Sequence, residues 1–176
     1  MCGVQLRRLS KSDATQIAKL ANNKKIWDNL RDYIPYPYSE EDALFFIGLT
    51  EKEFPEQTFG IIEENGDLCG VIGLVKQSDV YQLTAEIGYW LGEEFWGKGI
   101  MTEAVRLITQ YGFEKLRIER IYTGVFSFNI GSMKVLEKSG YNKEGIFKNA
   151  ILKNGAICDE HRYAILKSEH MKKDEL

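Results

Sequence analysis

The densest run of residues that could do chemistry lies between Glu86 and Ala104. A strand pattern there ends in a turn containing Gly97 and Gly99, and a helical pattern follows at once. A helix N-terminus offers unpaired backbone N–H groups and the positive end of a dipole. A glycine lacks a Cβ, so a phosphate can approach its backbone closely. The pattern indicates a pyrophosphate site, although a tight strand-to-helix turn would use the same glycines.

Two common phosphate motifs come close to this turn without fitting it. The P-loop needs Ser or Thr after its lysine to hold magnesium, and here Gly99 follows Lys98. The Rossmann fingerprint needs a third glycine where Thr102 stands, and it requires a βαβ unit. The strands before this turn are instead predicted to form an antiparallel meander. We therefore reject both motifs.

A candidate general base precedes the turn. Glu86 alternates with Gly88 and Trp90, which places the three residues on one face of the predicted strand. A carboxylate at this position could take a proton from a bound substrate, directly or through water. The alternative is an exposed glutamate on a solvated strand face.

Other reactive side chains have simple structural explanations as well. Asp159, His161 and Tyr163 share one face of the last predicted strand, as a catalytic group or as solvated polar residues. Cys158 would permit a covalent enzyme intermediate, but a lone cysteine usually serves packing. The remaining candidates are the aromatic residues Trp27, Tyr33, Tyr36 and Tyr38, which either line a substrate cleft or fill a core beneath a loop. For Trp27 we favour the core.

Composition excludes several classes of protein. The 176 residues are 44% hydrophobic and 28% charged, which is typical of one globular domain, here residues 1–176 with a charged tail from about 168. The net charge of −3 argues against a nucleic-acid partner. Three scattered cysteines and two histidines give no metal site. Without an apolar membrane span or a signal sequence, we expect a cytoplasmic protein, and an oligomer is compatible with the sequence.

The C-terminal sequence Lys173–Leu176 matches an endoplasmic-reticulum retention signal. Because no entry signal accompanies it, we interpret it as a charged, solvated tail.

Hydrophobic periodicity predicts alternating layers of strands and helices. Asn65-Gly66 and Asn154-Gly155 are predicted hairpin turns, since such turns require positive φ at both central residues. The predicted strands are Val4–Leu9, Gln57–Glu63, Leu68–Val75, Leu83–Leu91, Ile118–Phe126, Ile146–Leu152 and Ala156–Ile165. The predicted helices are Ala14–Ala21, Ser39–Ile47, Gly99–Leu116 and Asn129–Ser139.

Several ordered segments resemble the GNAT superfamily of N-acetyltransferases, most closely its branch of ribosomal-protein N-terminal acetyltransferases (the Rim type). They are the acetyl-CoA loop Trp96–Ala104, the second cofactor motif Asn129–Tyr141, the last hairpin Lys153–Tyr163, and the substrate-side helices Trp27–Leu30 and Pro37–Ala43. The resemblance covers nearly the whole chain in the right order. It implies a single-domain α+β fold, with a mixed, mostly antiparallel sheet, flanking helices and a splayed central strand pair.

The resemblance also implies acetyl-CoA as co-substrate, with its pyrophosphate on backbone N–H groups from Trp96 to Thr102. The superfamily's loop begins with Gln or Arg, but Glu94 stands there, so that side-chain contact with phosphate is lost. A bulge at Tyr89–Gly92 would aim an N–H at the thioester carbonyl, and pantetheine would lie between this strand and Ile118–Phe126. The expected cofactor-binding residues are Trp90, Leu91, Gly92, Trp96, Gly97, Lys98, Gly99, Ile100, Met101, Thr102 and Asn129.

For catalysis, Glu86 is the candidate base that deprotonates the acceptor amine, directly or through water. The resemblance suggests Ser132 as the group that donates to the leaving thiolate, and the alternative is a capping or packing serine. Many superfamily members use a Tyr seven residues after Asn129 as that acid, and Leu136 stands here instead. We expect direct acetyl transfer in a ternary complex to a primary amine, with a peptide or protein N-terminus favoured. The alternatives are a small cationic amine (a polyamine or an aminoglycoside) and a non-catalytic acyl-CoA sensor.

Overall fold

The computed structural model describes residues 3–174. Cys2 and the last two residues of the C-terminal tetrapeptide lie outside this range. The helices are α1 (Ala14–Ala21), α2 (Lys24–Trp27), α3 (Glu40–Thr50), α4 (Ile100–Glu114), α5 (Ile130–Lys138) and α6 (Lys167–Asp174). The strands are β1 (Gln5–Arg7), β2 (Thr58–Ile62), β3 (Leu68–Lys76), β4 (Thr84–Leu91), β5 (Arg120–Phe126), β6 (Asn142–Lys153) and β7 (Ala156–Leu166).

All seven of these strands form one sheet in the order β1-β2-β3-β4-β5-β7-β6. The pairs β1–β2, β2–β3, β5–β7 and β6–β7 are antiparallel. β4 and β5 run parallel, with α4 between them in the chain. The sheet confirms the predicted α+β fold with a mixed, mostly antiparallel sheet.

The chain divides into two compact units. The first comprises residues up to Gly73 together with Tyr89–Ala104, and Ile17, Ile47 and Ile72 are fully buried within it. The second comprises Leu74–Gly88 and the chain from Val105 onward, whose largest fully buried side chains are Leu74, Ile87, Ile108, Ile118, Ile121, Leu136, Tyr163 and Ile165. The expectation of one domain over residues 1–176 stays a prediction.

Two helices differ from the sequence-based expectation. The short helix α2 lies where no helix was expected from periodicity; the side chain of Asn23 caps it by accepting from the N–H of Lys25 at 2.9 Å. The charged tail that was expected from about residue 168 forms helix α6 instead. Its start is held where the N–H of Leu166 donates to the Glu169 carboxylate at 3.0 Å.

The two Asn-Gly turns also differ from each other. Asn154 and Gly155 have φ values of 51° and 75°, as predicted for a two-residue hairpin turn. At the other turn only Gly66 has positive φ, at 88°, so the prediction for Asn65 is wrong. The N–H of Gly66 donates to the Glu63 carbonyl at 2.9 Å, and that of Glu63 to the Asp67 carbonyl at 3.1 Å. This hairpin therefore has a three-residue loop with the glycine in the left-handed position.

Candidate active site

The predicted cofactor turn leads from β4 into α4. A short 3-10 turn, Glu93–Phe95, follows the strand, and Gly97 and Gly99 then adopt φ values of 75° and 81°. No atom lies within 4 Å of a Cβ built on either glycine, so the space over this backbone is open. Only glycine adopts such φ values without strain, which explains both residues.

The start of α4 supplies backbone donors beside this open space. Its first intrahelical bond runs from the N–H of Glu103 to the Gly99 carbonyl at 3.2 Å. The N–H groups of Ile100 and Met101 therefore have no acceptor within the helix, while both side chains are buried and anchor the helix. Such a helix start, with the dipole behind it, suits a pyrophosphate.

Trp96 contributes differently from the expectation that its N–H would anchor phosphate. That N–H donates to the Glu93 carbonyl at 3.1 Å, which closes the short turn. The indole Nε1 of Trp96 donates to the Leu91 carbonyl at 2.7 Å. The two bonds fix the approach to Gly97, so Trp96 holds the shape of the turn, and any contact with the co-substrate would use its ring, which is 43% exposed.

Hydrogen bonds at the two ends of the β3–β4 pair fix its overall register, and the expected bulge at Tyr89–Gly92 stays a prediction. The N–H of Gln77 donates to the Thr84 carbonyl at 2.9 Å, and that of Gly92 donates to the Cys69 carbonyl at 2.8 Å. Both strands advance by the same number of residues between these bonds, so neither carries a net insertion. The N–H of Gly92 is already engaged, and the Trp90 carbonyl oxygen occupies the position of a Cβ on Gly70, so the backbone of β4 departs from a regular pair at Trp90.

Glu86 lies where the parallel pairing of β4 with β5 ends. The pairs run Thr84↔Arg120, Ala85↔Ile121 and Glu86↔Tyr122, whereas β5 goes on to pair with β7 as far as Phe126. This early end is expected of a splayed strand pair. Glu86 is half-buried and shares a sheet face with Tyr122, its cross-strand partner. The role of Glu86 as a general base stays a prediction.

The second predicted cofactor motif begins at the cap of α5. The Oδ1 atom of Asn129 accepts from the N–H of Ser132 at 3.1 Å, and the N–H of Asn129 donates to the Phe126 carbonyl at 2.8 Å. This confirms Asn129 as the N-cap. Leu136, where many superfamily members have Tyr, is fully buried in the core. Ser132 is half-buried, one turn nearer the start of the helix.

Replacing Asn129 separates its capping role from a role toward the co-substrate. Asn129→Ala is expected to lower the free energy of unfolding by about 1 kcal/mol, because the N–H of Ser132 loses its acceptor. Asn129→Asp keeps a capping oxygen and should match the wild type within a few tenths of a kcal/mol. Chemical denaturation without acetyl-CoA measures both variants. Equal stability of the Ala variant and the wild type would contradict the capping role.

Two of the three polar residues on the last strand, Tyr163 and Asp159, are engaged in hydrogen bonds, whereas the buried Nδ1 of the third, His161, has no hydrogen-bond partner within residues 3–174. Tyr163 is buried, its hydroxyl donates to Glu137 Oε1 at 2.8 Å, and burial together with that carboxylate raises its pKa to about 12. Asp159 accepts from Lys148 at 2.8 Å and from the N–H of Asn149 at 2.9 Å, and the bond from Lys148 above all lowers its pKa. These bonds favour structural roles over catalytic ones.

The aromatic segment is organised by Trp27. Its indole Nε1 donates to the Ile34 carbonyl at 2.8 Å, and its ring lies 5.6 Å from that of Tyr36. These contacts agree with the expected role beneath a loop. Tyr33 is 79% exposed, whereas burial raises the pKa of Tyr38 to about 12. Cys158 is a half-buried free thiol.

Two polar networks were not predicted from sequence. Glu93 accepts from Asn23 Nδ2 at 2.8 Å and also pairs with Lys25, which ties the cap of α2 to the turn before Gly97. Glu160 and Arg162 form an ion pair on β7, with Nε and Oε1 2.7 Å apart. The partners of Glu93 are far from it in the chain, so residue spacing gave no signal for that network.

Within residues 3–174, no three His, Cys, Asp or Glu side chains are grouped to hold a metal ion. Among the described helices, none has the length and apolar character needed to cross a membrane.

Comparisons with known proteins agree with this geometry. The family described as "Acetyltransferase (GNAT) domain" matches residues 4–142. The probable N-acetyltransferase YjcK of Bacillus subtilis is 46% identical over 112 residues, which are 63% of this chain and 62% of that protein, so the chain spans less than two thirds of that relative's length. The spermidine N(1)-acetyltransferase of Escherichia coli is 26% identical over 170 residues, 96% of this chain and 88% of that protein.

A solved structure extends the agreement to the fold. The ribosomal-protein-S5-alanine acetyltransferase of Vibrio fischeri superposes with a TM-score of 0.77 at 25% identity, covering 93% of this chain and 92% of that one. The predicted membership is thereby confirmed: the chain belongs to the GNAT acetyltransferase family.

Proposed function

We propose that the protein transfers the acetyl group of acetyl-CoA to the α-amine of a peptide or protein N-terminus, by direct transfer in a ternary complex. The turn at Gly97 and Gly99 and the start of α4 hold the pyrophosphate. Asn129 contacts the pantetheine arm while it caps α5.

In this proposal Glu86 removes a proton from the acceptor ammonium, directly or through water, so that the neutral amine can attack. An α-amine has a pKa near 8, so a modest base suffices. The Ser132 hydroxyl donates a hydrogen bond to the departing thiolate and replaces the Tyr that Leu136 excludes. Acetyl-CoA supplies the activated acetyl group.

The observation that favours a peptide over a polyamine is that acidic side chains expected near the acceptor already form ion pairs with Lys or Arg. A polycation needs several carboxylates that are not already neutralised. On two of the segments expected to face the acceptor, Trp27–Leu30 and the last hairpin, three carboxylates form ion pairs with Lys or Arg side chains. The pairs are Asp28–Lys24, Asp159–Lys148 and Glu160–Arg162.

The second candidate acceptor is a small cationic amine. It is favoured by the Escherichia coli spermidine N(1)-acetyltransferase, whose similarity extends over 96% of this chain. The Vibrio fischeri S5-alanine enzyme, at comparable identity, supports the peptide. The acceptor therefore has to be decided by experiment.

Acetyl transfer to a peptide library, measured beside a panel of polyamines and aminoglycosides, tests the proposal. We expect kcat/KM to be higher for peptides. A preference of about tenfold or more for the small polycations would overturn the peptide assignment and leave the enzyme class intact. Binding of acetyl-CoA without turnover on any amine would identify a non-catalytic acyl-CoA sensor instead.

A further inference from the structure

The sheet face that carries Glu86 continues into a cluster of five residues, called the β5–β7 cluster below. Its members are Tyr122, Gly124, Phe147, Glu160 and Arg162. Cross-strand partners share a face, and the pairs Glu86↔Tyr122, Gly124↔Arg162 and Phe147↔Glu160 place all of them with Glu86.

Gly124 makes room for the carboxylate of Glu160. A Cβ at this position would lie 2.7 Å from Glu160 Oε1, so the carboxylate occupies the space that any other residue would fill. The Glu160 side chain is only 14% exposed, and the same oxygen lies 2.7 Å from Arg162 Nε, an ion pair in which Nε makes no hydrogen bond to any of the described residues. A nearly buried carboxylate therefore lies directly beside the guanidinium, in the space left by the absent side chain of Gly124.

Two aromatic rings also contact the guanidinium of Arg162. The centre of its guanidinium lies 4.7 Å from the centroid of the Phe147 ring and 5.6 Å from that of Tyr122. The contact with Glu160 uses Nε, and the two terminal amino groups of a guanidinium carry four more N–H donors. The side chain is 31% exposed, so the group is fixed and still reaches the surface of this face.

The spacing suits a peptide. Gly124 lies on the neighbouring strand, two residues beyond Tyr122, which is the cross-strand partner of Glu86. This offset places the Cα atoms of Glu86 and Gly124 about 8 Å apart. An α-amine beside Glu86 is followed by main-chain carbonyls, because consecutive Cα atoms are only about 3.8 Å apart. The first carbonyls of such an acceptor therefore come within reach of a guanidinium over Gly124.

We propose that Arg162 binds the main-chain carbonyl groups of the acceptor peptide and that Glu160, seated over Gly124, is the positioning residue that orients it. This inference rests on the proposed peptide function. It makes the β5–β7 cluster the determinant that distinguishes a peptide from an amine without a carbonyl.

The test compares two acceptors in one set of variants: the best library peptide and a simple alkylamine. Arg162→Met should raise KM for the peptide about tenfold or more and change kcat/KM for the alkylamine less than about twofold, because only the peptide has carbonyls to bind. Gly124→Ala, which displaces Glu160, and Glu160→Gln should shift peptide KM in the same direction with smaller effect. Arg120→Met, which breaks the ion pair between Arg120 on β5 and Glu144 on β6, is the matched control and should leave kinetics with both acceptors unchanged.

Equal losses for both acceptors in Arg162→Met would show that the cluster only supports the fold and would overturn the inference. An unchanged KM for the peptide would also overturn the inference, provided that thermal denaturation shows the Arg162→Met variant to be fully folded. Failure of the proposed function is distinguishable, because wild-type protein would then acetylate no peptide at all.

Discussion

Glu86→Gln is expected to lower kcat about 100-fold or more at neutral pH. An α-amine with a pKa near 8 is mostly protonated at pH 7, and the variant lacks the carboxylate that removes the proton. As the pH rises above the pKa of the free amine, the acceptor arrives neutral and the deficit should shrink. The expected signature is therefore a rate loss that decreases with pH.

Steady-state kinetics from pH 6.5 to 9.5, with saturating acetyl-CoA, measure this signature. Glu119→Gln is the control, because Glu119 is an exposed glutamate just before β5 and outside the proposed site. A Glu86→Gln enzyme with wild-type kcat at neutral pH would show that Glu86 is structural. A loss that stayed constant with pH would assign it a positioning role instead of proton transfer.

Local patterns predicted most of the elements. The bounds of α1 and the start of β3 were predicted to the residue, because the alternation and helical spacing of apolar residues reflect which face is buried. Asn154-Gly155 was predicted correctly because its turn has two residues. Asn65-Gly66 was not, because the bonds between Glu63 and its neighbours select a longer loop that the dipeptide does not specify.

In the candidate site, too, features set by local conformation were predicted from sequence, and long-range contacts were not. The open turn at Gly97 and Gly99 follows from local conformation, which a glycine before a helix signals directly. The engagement of the N–H of Gly92 depends on Cys69 of the neighbouring strand, and the tie between Glu93 and Lys25 joins distant parts of the chain. Register and long-range ion pairs are set by tertiary packing, so residue spacing along one strand or loop did not reveal them.

The pyrophosphate turn allows a second decisive experiment, in which Gly99→Val is expected to abolish stabilisation by acetyl-CoA. In the wild type, a concentration of about 100 times the dissociation constant should raise the free energy of unfolding by about 2.7 kcal/mol. The valine side chain would enter the open space over the turn, where the phosphates are expected. Thermal denaturation with and without acetyl-CoA measures the difference.

Strain has to be separated from loss of binding, because Gly99 has a φ of 81° that valine adopts only at a cost. Gly66→Val is the matched control: Gly66 has a φ of 88°, no atom lies within 4 Å of its Cβ position, and it sits in the β2–β3 hairpin outside the proposed site. Both variants should lose intrinsic stability to a similar extent, since both force a branched residue into the left-handed region. Only Gly66→Val should keep the full gain from acetyl-CoA. An equal gain in both variants would place the pyrophosphate elsewhere, and an unchanged melting temperature of the wild type in saturating acetyl-CoA would rule out this turn as its site.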